Sequence, residues 1–311
     1  MPARPRLSIC IPTFNRLAFL KEAVESILDQ VNDGNRHQLE LVISDNASAD
    51  GTREFGQKLR AVAGVAVVYN RNEVNLGFDD NILKLVEIAS GEYCWLLGDD
   101  DRLAPGALDE VLTEIEVDPD IDLFMGDKED FNEDFSHRFK RRPIFKGRAS
   151  RTFDFSGPGL NDYLAYSDKL ICFFNFISIL VFKREKWLAV PDQRRFVGSG
   201  YIHLYMIMSL LWRGRGGRLK CLPEVIVSRR WGTDRITGIF GRLKNDVEVY
   251  ERILRAVTDD QALIRHINGL LIKNDAYSWA VRSKIGDGLG FYQRSFPLLF
   301  KHYWSYPLFW L

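Results

Sequence analysis

The first 127 residues of the chain alternate short apolar runs with amphipathic segments of helical length. The apolar runs cover residues 7–11, 39–43, 65–69, 93–97 and 121–125, and the amphipathic segments cover 17–28, 52–62, 79–89 and 105–117. A helix between two strands carries the chain back across a sheet, so that successive strands run parallel. This alternation predicts an α/β domain built on a Rossmann-like, mostly parallel sheet.

Polar residues follow the ends of four of these predicted strands. They occupy residues 12–16, 45–46, 70–77 and 99–101. In open α/β sheets, ligands bind beyond the carboxyl ends of the strands. We therefore expect these four segments to meet along one edge of the sheet and to form one site.

The most chemically specific of these segments is the carboxylate triplet Asp99, Asp100 and Asp101. Adjacent carboxylates repel one another unless a cation lies among them, and hard oxygen ligands suit Mg²⁺ or Mn²⁺. The alternative is a solvated turn that caps a helix beginning near Pro105, but one aspartate is enough for a cap. The triplet predicts a divalent cation site that in turn holds a phosphate.

The pattern changes after Gly126. Residues 127–151 are highly charged, with basic residues at Arg138, Lys140, Arg141 and Arg142, and are expected to form an exposed loop. Further helices are predicted over 160–166, 201–212, 243–257 and 261–284, and further strands over 175–182 and 219–227.

Composition narrows the possible classes of partner and the cellular setting. Lys and Arg total 42 and so do Asp and Glu, so no overall field directs the protein to nucleic acid. The four scattered cysteines predict buried thiols in a reducing compartment, and without CxxC pairs no zinc site is expected. No signal peptide is predicted, and the longest uncharged apolar run, 170–182, is too short to span a bilayer. These features predict a cytoplasmic protein.

Five segments, in their order and spacing, resemble the motifs of family 2 glycosyltransferases. They are residues 8–16, 42–52, 75–81, 91–93 and 97–105. The resemblance covers about the first 127 residues and implies the GT-A nucleotide-diphospho-sugar transferase fold. It implies a catalytic domain over 1–235, with a nucleotide-sugar-binding half (1–127) and an acceptor-side half (128–235). A helical, aromatic-rich extension would follow over 236–311.

The resemblance also implies roles for individual residues. Those expected at the nucleotide-sugar site are Pro12, Thr13, Phe14, Asn15, Arg16, Asp45, Asn75, Gly77 and Asp99. Asp100 falls at the family's main metal-ligand position, and Asp99 and Asp101 would complete the metal site. The family's motif usually begins with an aspartate where this chain has Gly98, so which two carboxylates bind the metal is left open.

The general base is where the chain departs most from the family. Family 2 enzymes usually carry Glu-Asp at the start of a helix that ends in a basic-Gly turn, and here Ile202 and His203 occupy those positions. His203 is the predicted base, since a histidine near pKa 6.5 suits proton transfer. The alternative is a packed histidine on an apolar helix, with Asp192 or Asp127 as the base.

Two later segments combine cations with aromatic rings. In the family, a late basic-aromatic segment can close over the diphosphate. By that resemblance Arg229 or Arg230 is expected to hold phosphate and Trp231 to stack on a sugar; a solvated loop with one packed tryptophan is the alternative. Residues 291–311 mix nine aromatic residues with cations, which is typical of a membrane interface. Packing against the catalytic domain or a second subunit is the alternative for this segment.

The function implied by the resemblance is transfer of a sugar from a nucleotide-diphosphate donor to a saccharide hydroxyl. The transfer would be inverting and would use Mg²⁺ or Mn²⁺. The setting would be bacterial surface polysaccharide assembly, with a lipid-linked acceptor and peripheral contact with the inner membrane. The Gly98–Asp101 variant and the segment 198–203 resemble abequosyltransferase-like O-antigen enzymes.

Two other classes of function fit part of the sequence. A nucleotidyltransferase shares the sheet and the need for a metal, but typically has a Gly-rich loop and a lysine after its first strand. Here that loop reads Pro-Thr-Phe-Asn-Arg over 12–16. A non-catalytic nucleotide-sugar-binding protein that has lost its base is the other alternative.

Overall fold

A computed structural model describes residues 4–147, 149–157, 159–213, 216–232, 238–276 and 289–306. Its strands are β1 (Leu7–Thr13), β2 (Leu39–Asp45), β3 (Ala66–Arg71), β4 (Tyr93–Leu96), β5 (Arg102–Leu103), β6 (Leu123–Phe131), β7 (Arg151–Asp154), β8 (Leu180–Lys183) and β9 (Arg218–Arg230). Its α-helices are α1 (Leu17–Leu28), α2 (Thr52–Val62), α3 (Phe78–Ile88), α4 (Ala107–Val117), α5 (Gly159–Tyr166), α6 (Arg184–Leu188), α7 (Ile202–Trp212), α8 (Gly238–Val257), α9 (Gln261–Leu270) and α10 (Leu289–Tyr303).

The strands of the described residues form one sheet in the order β3-β2-β1-β4-β8-β6-β9-β5, with β7 paired to β9. The first four strands are parallel, which confirms the prediction from the helix–strand alternation. Strand β8 runs antiparallel to both β4 and β6, while β6 and β9 are parallel. The later strands therefore extend the parallel half into a mixed sheet.

Burial explains why the first strands are so uniformly apolar. Every residue of β1 and β2 is buried, as expected for parallel strands with helices on both faces. On one face α1 buries Leu20, Val24 and Ile27, which recur at helical spacing. All four cysteines are buried thiols, as predicted.

The prediction of an exposed loop over 127–151 is wrong for its first residues. Strand β6 continues to Phe131 because ion pairs neutralise its charged end. Arg141 lies 2.8 Å from Asp127, and Arg138 lies 3.2 Å from Glu129. Part of the basic cluster is therefore tied to the sheet.

Three element boundaries also differ from prediction. The strand predicted over 175–182 begins only at Leu180, after a 3₁₀ turn at Ile177–Ile179. Helix α4 begins at Ala107, two residues after Pro105. The helix predicted over 261–284 becomes α9 followed by a π-helical turn, Leu271–Ala276, and its remainder lies outside the described residues.

The C-terminal helices pack on the domain and on one another. Helix α8 lies against α7, and α10 lies against α8. Tyr303 is fully buried, and Nδ1 of His302 lies 3.0 Å from Glu251. Within the described part of the chain, no helix combines the length and the apolar character needed to cross a membrane.

Candidate active site

The loop after β1 and the acidic turn after β4 are in direct contact. The Thr13 hydroxyl donates a 2.8 Å hydrogen bond to Oδ2 of Asp99. Strands β1 and β4 are parallel neighbours, so their carboxyl ends lie side by side. The structure thus brings together the two predicted segments that carry the most specific chemistry.

Arg16 bridges the first two carboxylates of the triplet. Its Nη1 lies 3.2 Å from Asp99 Oδ1 and 3.1 Å from Asp100 Oδ2. Burial and the charge of Asp100 raise the pKa of Asp99 to about 7, although Arg16 and Thr13 oppose this shift. The bridge therefore offsets part of the repulsion within the triplet.

Asp101 turns away from Arg16 toward a different set of donors. The Ser178 hydroxyl donates to its Oδ2 at 2.6 Å, and the Arg230 backbone N–H donates to its Oδ1 at 3.1 Å. Burial, reinforced by the charge of Asp100, raises the pKa of Asp101 to about 8. Sequence reasoning missed Ser178 because no local pattern links it to a turn 77 residues away.

Gly98 stands where the family usually has an aspartate, and its surroundings are crowded. A Cβ at this position would lie 3.1 Å from carboxylate oxygens of both Asp100 and Asp101. The backbone N–H of Gly98 donates to Ser178 at 3.0 Å. A glycine at position 98 therefore leaves room for the carboxylates of Asp100 and Asp101.

Arg229 and Arg230 diverge at the end of β9 because successive strand residues point to opposite faces. Arg230 is buried, donates to the Asp100 carbonyl at 2.9 Å, and pairs with Glu22. Arg229 pairs with Asp130 at 2.7 Å. This alternation separates Arg230, whose side chain reaches Glu22 and the Asp100 carbonyl, from Arg229, whose side chain reaches Asp130.

Aromatic rings surround the Arg229 guanidinium. Its carbon lies 4.7 Å from the Trp231 ring centroid and 5.3 Å from that of Phe176. Trp231 is 44% exposed. The structure thus places the two predicted residues Arg229 and Trp231 in contact, with Phe176 also against Arg229.

Asp45, at the end of β2, is buried and tightly held. Its carboxylate accepts bonds from the Ser48 N–H at 2.8 Å and from the Tyr69 hydroxyl and Arg71 Nη1, both at 2.7 Å. Burial by itself raises the pKa of Asp45, but these bonds outweigh it and hold the pKa below its usual range. Asp45 is thus an ionised acceptor in a fixed orientation.

An amide network fixes the donor loop, residues 75–77, to the end of β2. Asn46 Nδ2 donates to Asn75 Oδ1 at 2.6 Å and to the Gly77 carbonyl at 3.2 Å. Gly77 has φ of +82°, a backbone conformation that favours glycine. The predicted residues Asn75 and Gly77 are therefore held against Asn46, the residue that follows Asp45.

The loop after β1 is fixed to the same edge. Asn15, at φ of +53°, donates its N–H to the Ser48 hydroxyl at 2.9 Å, and its Oδ1 accepts from the Ala49 N–H at 2.7 Å. Pro12 lies within β1. Phe14, by contrast, is 42% exposed at the rim of the site.

His203 is buried at the second position of α7. Its ring lies edge-on to Phe78, with centroids 6.2 Å apart, and 5.9 Å from that of Tyr201. Among the described residues neither ring nitrogen has a hydrogen-bond partner. Burial lowers the pKa of His203 to about 4, so the imidazole is neutral near pH 7. His203 is thus a packed histidine and also an unprotonated base next to the donor loop.

The two other candidate bases lie in different environments. Asp127 is buried, and its carboxylate accepts from Arg141 Nη2 at 2.8 Å and from the Lys128 N–H at 2.7 Å. Asp127 lies in the middle of β6, and both of its carboxylate oxygens are used in these structural bonds. Asp192 is exposed in a turn before α7, with φ of +52°.

Within the described ranges, no cluster of three or more His, Cys, Asp or Glu side chains is arranged to hold a metal ion. The carboxylates of Asp99 and Asp100 nevertheless share one cation, Arg16, and that of Asp101 turns elsewhere. Mg²⁺ sites commonly use one or two protein carboxylates completed by substrate phosphates. The pair Asp99–Asp100 fits that kind of site.

The chain is similar to known proteins both in sequence and in fold. Residues 8–179, more than half of the chain, match the family Glycosyl transferase family 2. An abequosyltransferase of Salmonella typhimurium is 32% identical over 66% of this chain. A GalNAc(5)-diNAcBac-PP-undecaprenol β-1,3-glucosyltransferase of Campylobacter jejuni is 30% identical over 58%. The chain spans 60% and 52% of the length of these relatives.

Solved structures give the likeness of fold. S. aureus TarS 1–349 in complex with UDP-GlcNAc has a TM-score of 0.66 at 13% identity, covering 96% of this chain and 80% of that one. The mannosyltransferase of Pyrobaculum calidifontis in complex with GDP-Man and Mn²⁺ has a TM-score of 0.61 at 17% identity, covering 94% and 78%. The fold is GT-A, as predicted. With its matched motifs lying at the sheet edge described above, the chain belongs to glycosyl transferase family 2.

Proposed function

We propose that this protein transfers a sugar from a nucleotide-diphosphate donor to an acceptor hydroxyl. The observation that carries the proposal is the direct contact between the loop after β1 and the acidic turn, through Thr13–Asp99 and the Arg16 bridge. A nucleotide laid along this edge would meet the ionised Asp45 at one end and the acidic turn at the other. Membership of the family supports the same use of the edge.

Diphosphate binding is assigned to the acidic turn and the nearby arginines. Asp100, with Asp99, would hold Mg²⁺ or Mn²⁺, which when bound neutralises the charge that develops on the leaving diphosphate. Arg16 and Arg229 would bind the remaining phosphate oxygens, since a guanidinium matches phosphate in a fork geometry. Asp101 would keep the shape of the turn through Ser178 and Arg230.

The chemical step would be a single in-line displacement with inversion. The acceptor oxygen forms a bond to the anomeric carbon while the bond from that carbon to the diphosphate oxygen breaks. His203 would take the acceptor proton. Its imidazole is unprotonated near pH 7, although a pKa of about 4 makes it a weaker base than an ordinary histidine. Trp231, which is partly exposed, would stack on the sugar.

The acceptor is proposed to belong to bacterial surface polysaccharide synthesis and to be lipid-linked. Two relatives support this, one named as an abequosyltransferase and one as acting on an undecaprenol-linked saccharide. Phe296 and Phe300 on α10, and Trp304 directly after it, are 40%, 42% and 58% exposed at four-residue spacing. This aromatic stripe would contact the membrane surface from the proposed extension over 236–311.

A non-catalytic nucleotide-sugar-binding protein is the second candidate. The deep burial of His203 favours this alternative, because an acceptor must reach a base. A thermal-shift screen of UDP, GDP, CDP and dTDP, with and without Mn²⁺, tests donor binding for both candidates. Nucleotide release from the matching nucleotide sugars, with octyl glycosides as acceptors, then separates an enzyme from a binding protein. Absence of any nucleotide shift contradicts both.

A further inference from the structure

Two consecutive residues, Phe78 and Asp79, join the donor loop to the first turn of α7. They open α3 directly after Gly77. The Phe78 ring contacts His203 edge-on. The Asp79 carboxylate accepts bonds from the backbone N–H groups of Gly200 at 2.8 Å and Ile202 at 3.1 Å. The start of α3 therefore contacts the start of α7, the helix that carries the candidate base His203.

The segment 198–202 is folded as a cradle for this carboxylate. Gly198 and Gly200 have φ of +89° and +75°, so the chain curls and directs successive N–H groups inward. Burial of the Asp79 carboxyl raises its pKa, and the nearby backbones of Gly200, Ile202, Gly198 and Ser199 oppose this shift. This arrangement gives a structural role to Gly198, Ser199 and Gly200, for which the sequence alone indicated none.

Asp79 also supplies what α7 itself lacks. The N-cap residue Tyr201 makes no side-chain capping bond, and the first turn of α7 contains no acidic residue. A helix start leaves N–H groups that need acceptors and favours a nearby negative charge. Asp79 meets both needs from another helix, although it lies 123 residues from Ile202.

His203 depends on this turn for its orientation. It is the second residue of α7, next to Ile202, whose N–H bonds Asp79. Packing against Phe78 and Tyr201, the neighbouring Asn175 backbone, which partly offsets the lowering of the ring's pKa by burial, and the course of the helix together decide where the imidazole points.

We propose that Asp79 is a positioning residue that holds His203 in register with the donor loop. This inference rests on the proposed function, in which His203 is the base, and on the resemblance, which assigns Asn75 and Gly77 to the nucleotide-sugar site. A donor at the loop and the imidazole would then lie on opposite sides of one short rigid segment, Gly77 to Asp79.

The first test replaces Asp79 by Asn, which keeps the size but presents an NH₂ group to the N–H groups of the cradle. Misplacing a catalytic group by about 1 Å costs on the order of 10²-fold in rate, so kcat should fall by about that factor. The KM for the donor should change by less than about twofold, since the donor contacts remain. Nucleotide release with Mn²⁺ and octyl glycoside acceptors gives both constants.

The matched control is Asp80→Asn. Asp80 is the next residue on α3, and its carboxylate lies 2.7 Å from Arg194 in the segment that leads to α7. It makes no contact with the cradle among the described hydrogen bonds, so kcat should stay within about twofold of wild type. A loss in Asp80→Asn equal to that in Asp79→Asn would overturn the assignment.

A double-mutant cycle separates positioning from general stability. If Asp79 acts through His203, Asp79→Asn should add less than about twofold to the loss already caused by His203→Ala. A full multiplicative loss in the double mutant contradicts the proposal. Should Asp79→Asn not fold, Gly200→Ala replaces it, because its added Cβ meets no atom within 4 Å and only strains the positive φ.

A measurement without turnover keeps this inference distinct from the proposed function. The Cε1–Hε1 NMR signal of His203, identified by its loss in His203→Ala, should shift in Asp79→Asn or Gly200→Ala and stay in place in Asp80→Asn. An unshifted signal sinks the positioning role even if the enzyme is active. An inactive wild type with a shifted signal sinks the proposed function and leaves the positioning of His203 intact.

Discussion

The backbone N–H of Arg230 donates a 3.1 Å hydrogen bond to the Asp101 carboxylate, across 129 residues of sequence. This bond ties the end of β9 to the acidic turn after β4. The same arginine sends its side chain to Glu22 and to the Asp100 carbonyl. The shape of the acidic turn therefore depends on a strand from the second half of the chain.

Replacing the neighbouring residues Arg230 and Arg229 should lower the stability of the protein by different amounts. Arg230→Met should lower the free energy of unfolding by about 3 kcal/mol, because it removes a buried guanidinium that pairs with Glu22 and donates to the Asp100 carbonyl. Arg229→Met should cost about 1 kcal/mol or less, because Arg229 pairs with Asp130 at a partly exposed position. Urea denaturation measures both values.

The sugar-transfer activity of the two arginine variants provides a second comparison. Arg229→Met should reduce sugar transfer at temperatures where the protein stays folded, because Arg229 is assigned to phosphate. Equal stability losses in the two variants, or full transfer activity in Arg229→Met, would contradict the division of roles along β9.

Asp100→Asn should remove the metal-dependent part of nucleotide binding. Wild-type protein is expected to gain thermal stability from one nucleoside diphosphate in the presence of Mn²⁺, and this gain should vanish in the variant. Asp120→Asn, an exposed aspartate in the turn before β6, is the control and should behave as wild type. An unchanged Mn²⁺-dependent shift in Asp100→Asn would remove Asp100 from the metal site.

The buried His203 should make the protein less stable in acid. The unfolded chain binds a proton at His203 near pH 6.5, whereas burial lowers the pKa in the folded state to about 4. Stability therefore rises with pH between about 4 and 6.5 and is lost as the pH falls through that window. The lowered pKa corresponds to about 3 kcal/mol at most.

The measurement compares the free energy of unfolding of wild type and His203→Gln at pH 7 and pH 4.5. All other titrating groups are shared, so their contributions cancel in the difference. The gap between the two proteins should change by about 2 kcal/mol over this range. Parallel curves would mean that His203 titrates as an ordinary exposed histidine.

The aromatic stripe on α10 should mediate contact with anionic lipid. Replacing Phe296, Phe300 and Trp304 together by serine should reduce co-sedimentation with phosphatidylglycerol vesicles by about tenfold, since each removes apolar area that would enter the interface. Val62, Val117 and Leu188 are exposed apolar residues elsewhere, and the same substitution there is the control. Equal binding by both triple variants would exclude the stripe as the contact.

The parallel direction of the first four strands, and the meeting of polar segments at their carboxyl ends, were predictable from the sequence. Apolar periodicity fixes which segments pair as parallel strands, and parallel pairing places Thr13, Asp45 and the triplet at one edge. The division into domains 1–235 and 236–311 stays a prediction. Asp234, Arg235, Phe309 and Trp310 lie outside the described residues.

Tertiary structure decided what each polar residue contacts. The sequence determined the parallel half of the sheet, the acidic turn and the family, because these depend on local periodicity and short motifs. Only the folded chain paired Asp101 with Ser178 and Arg230, and placed Asp79 in the cradle before His203. Those partners lie 77 to 129 residues apart, and hydrogen bonds over such separations leave no periodic signal in a sequence.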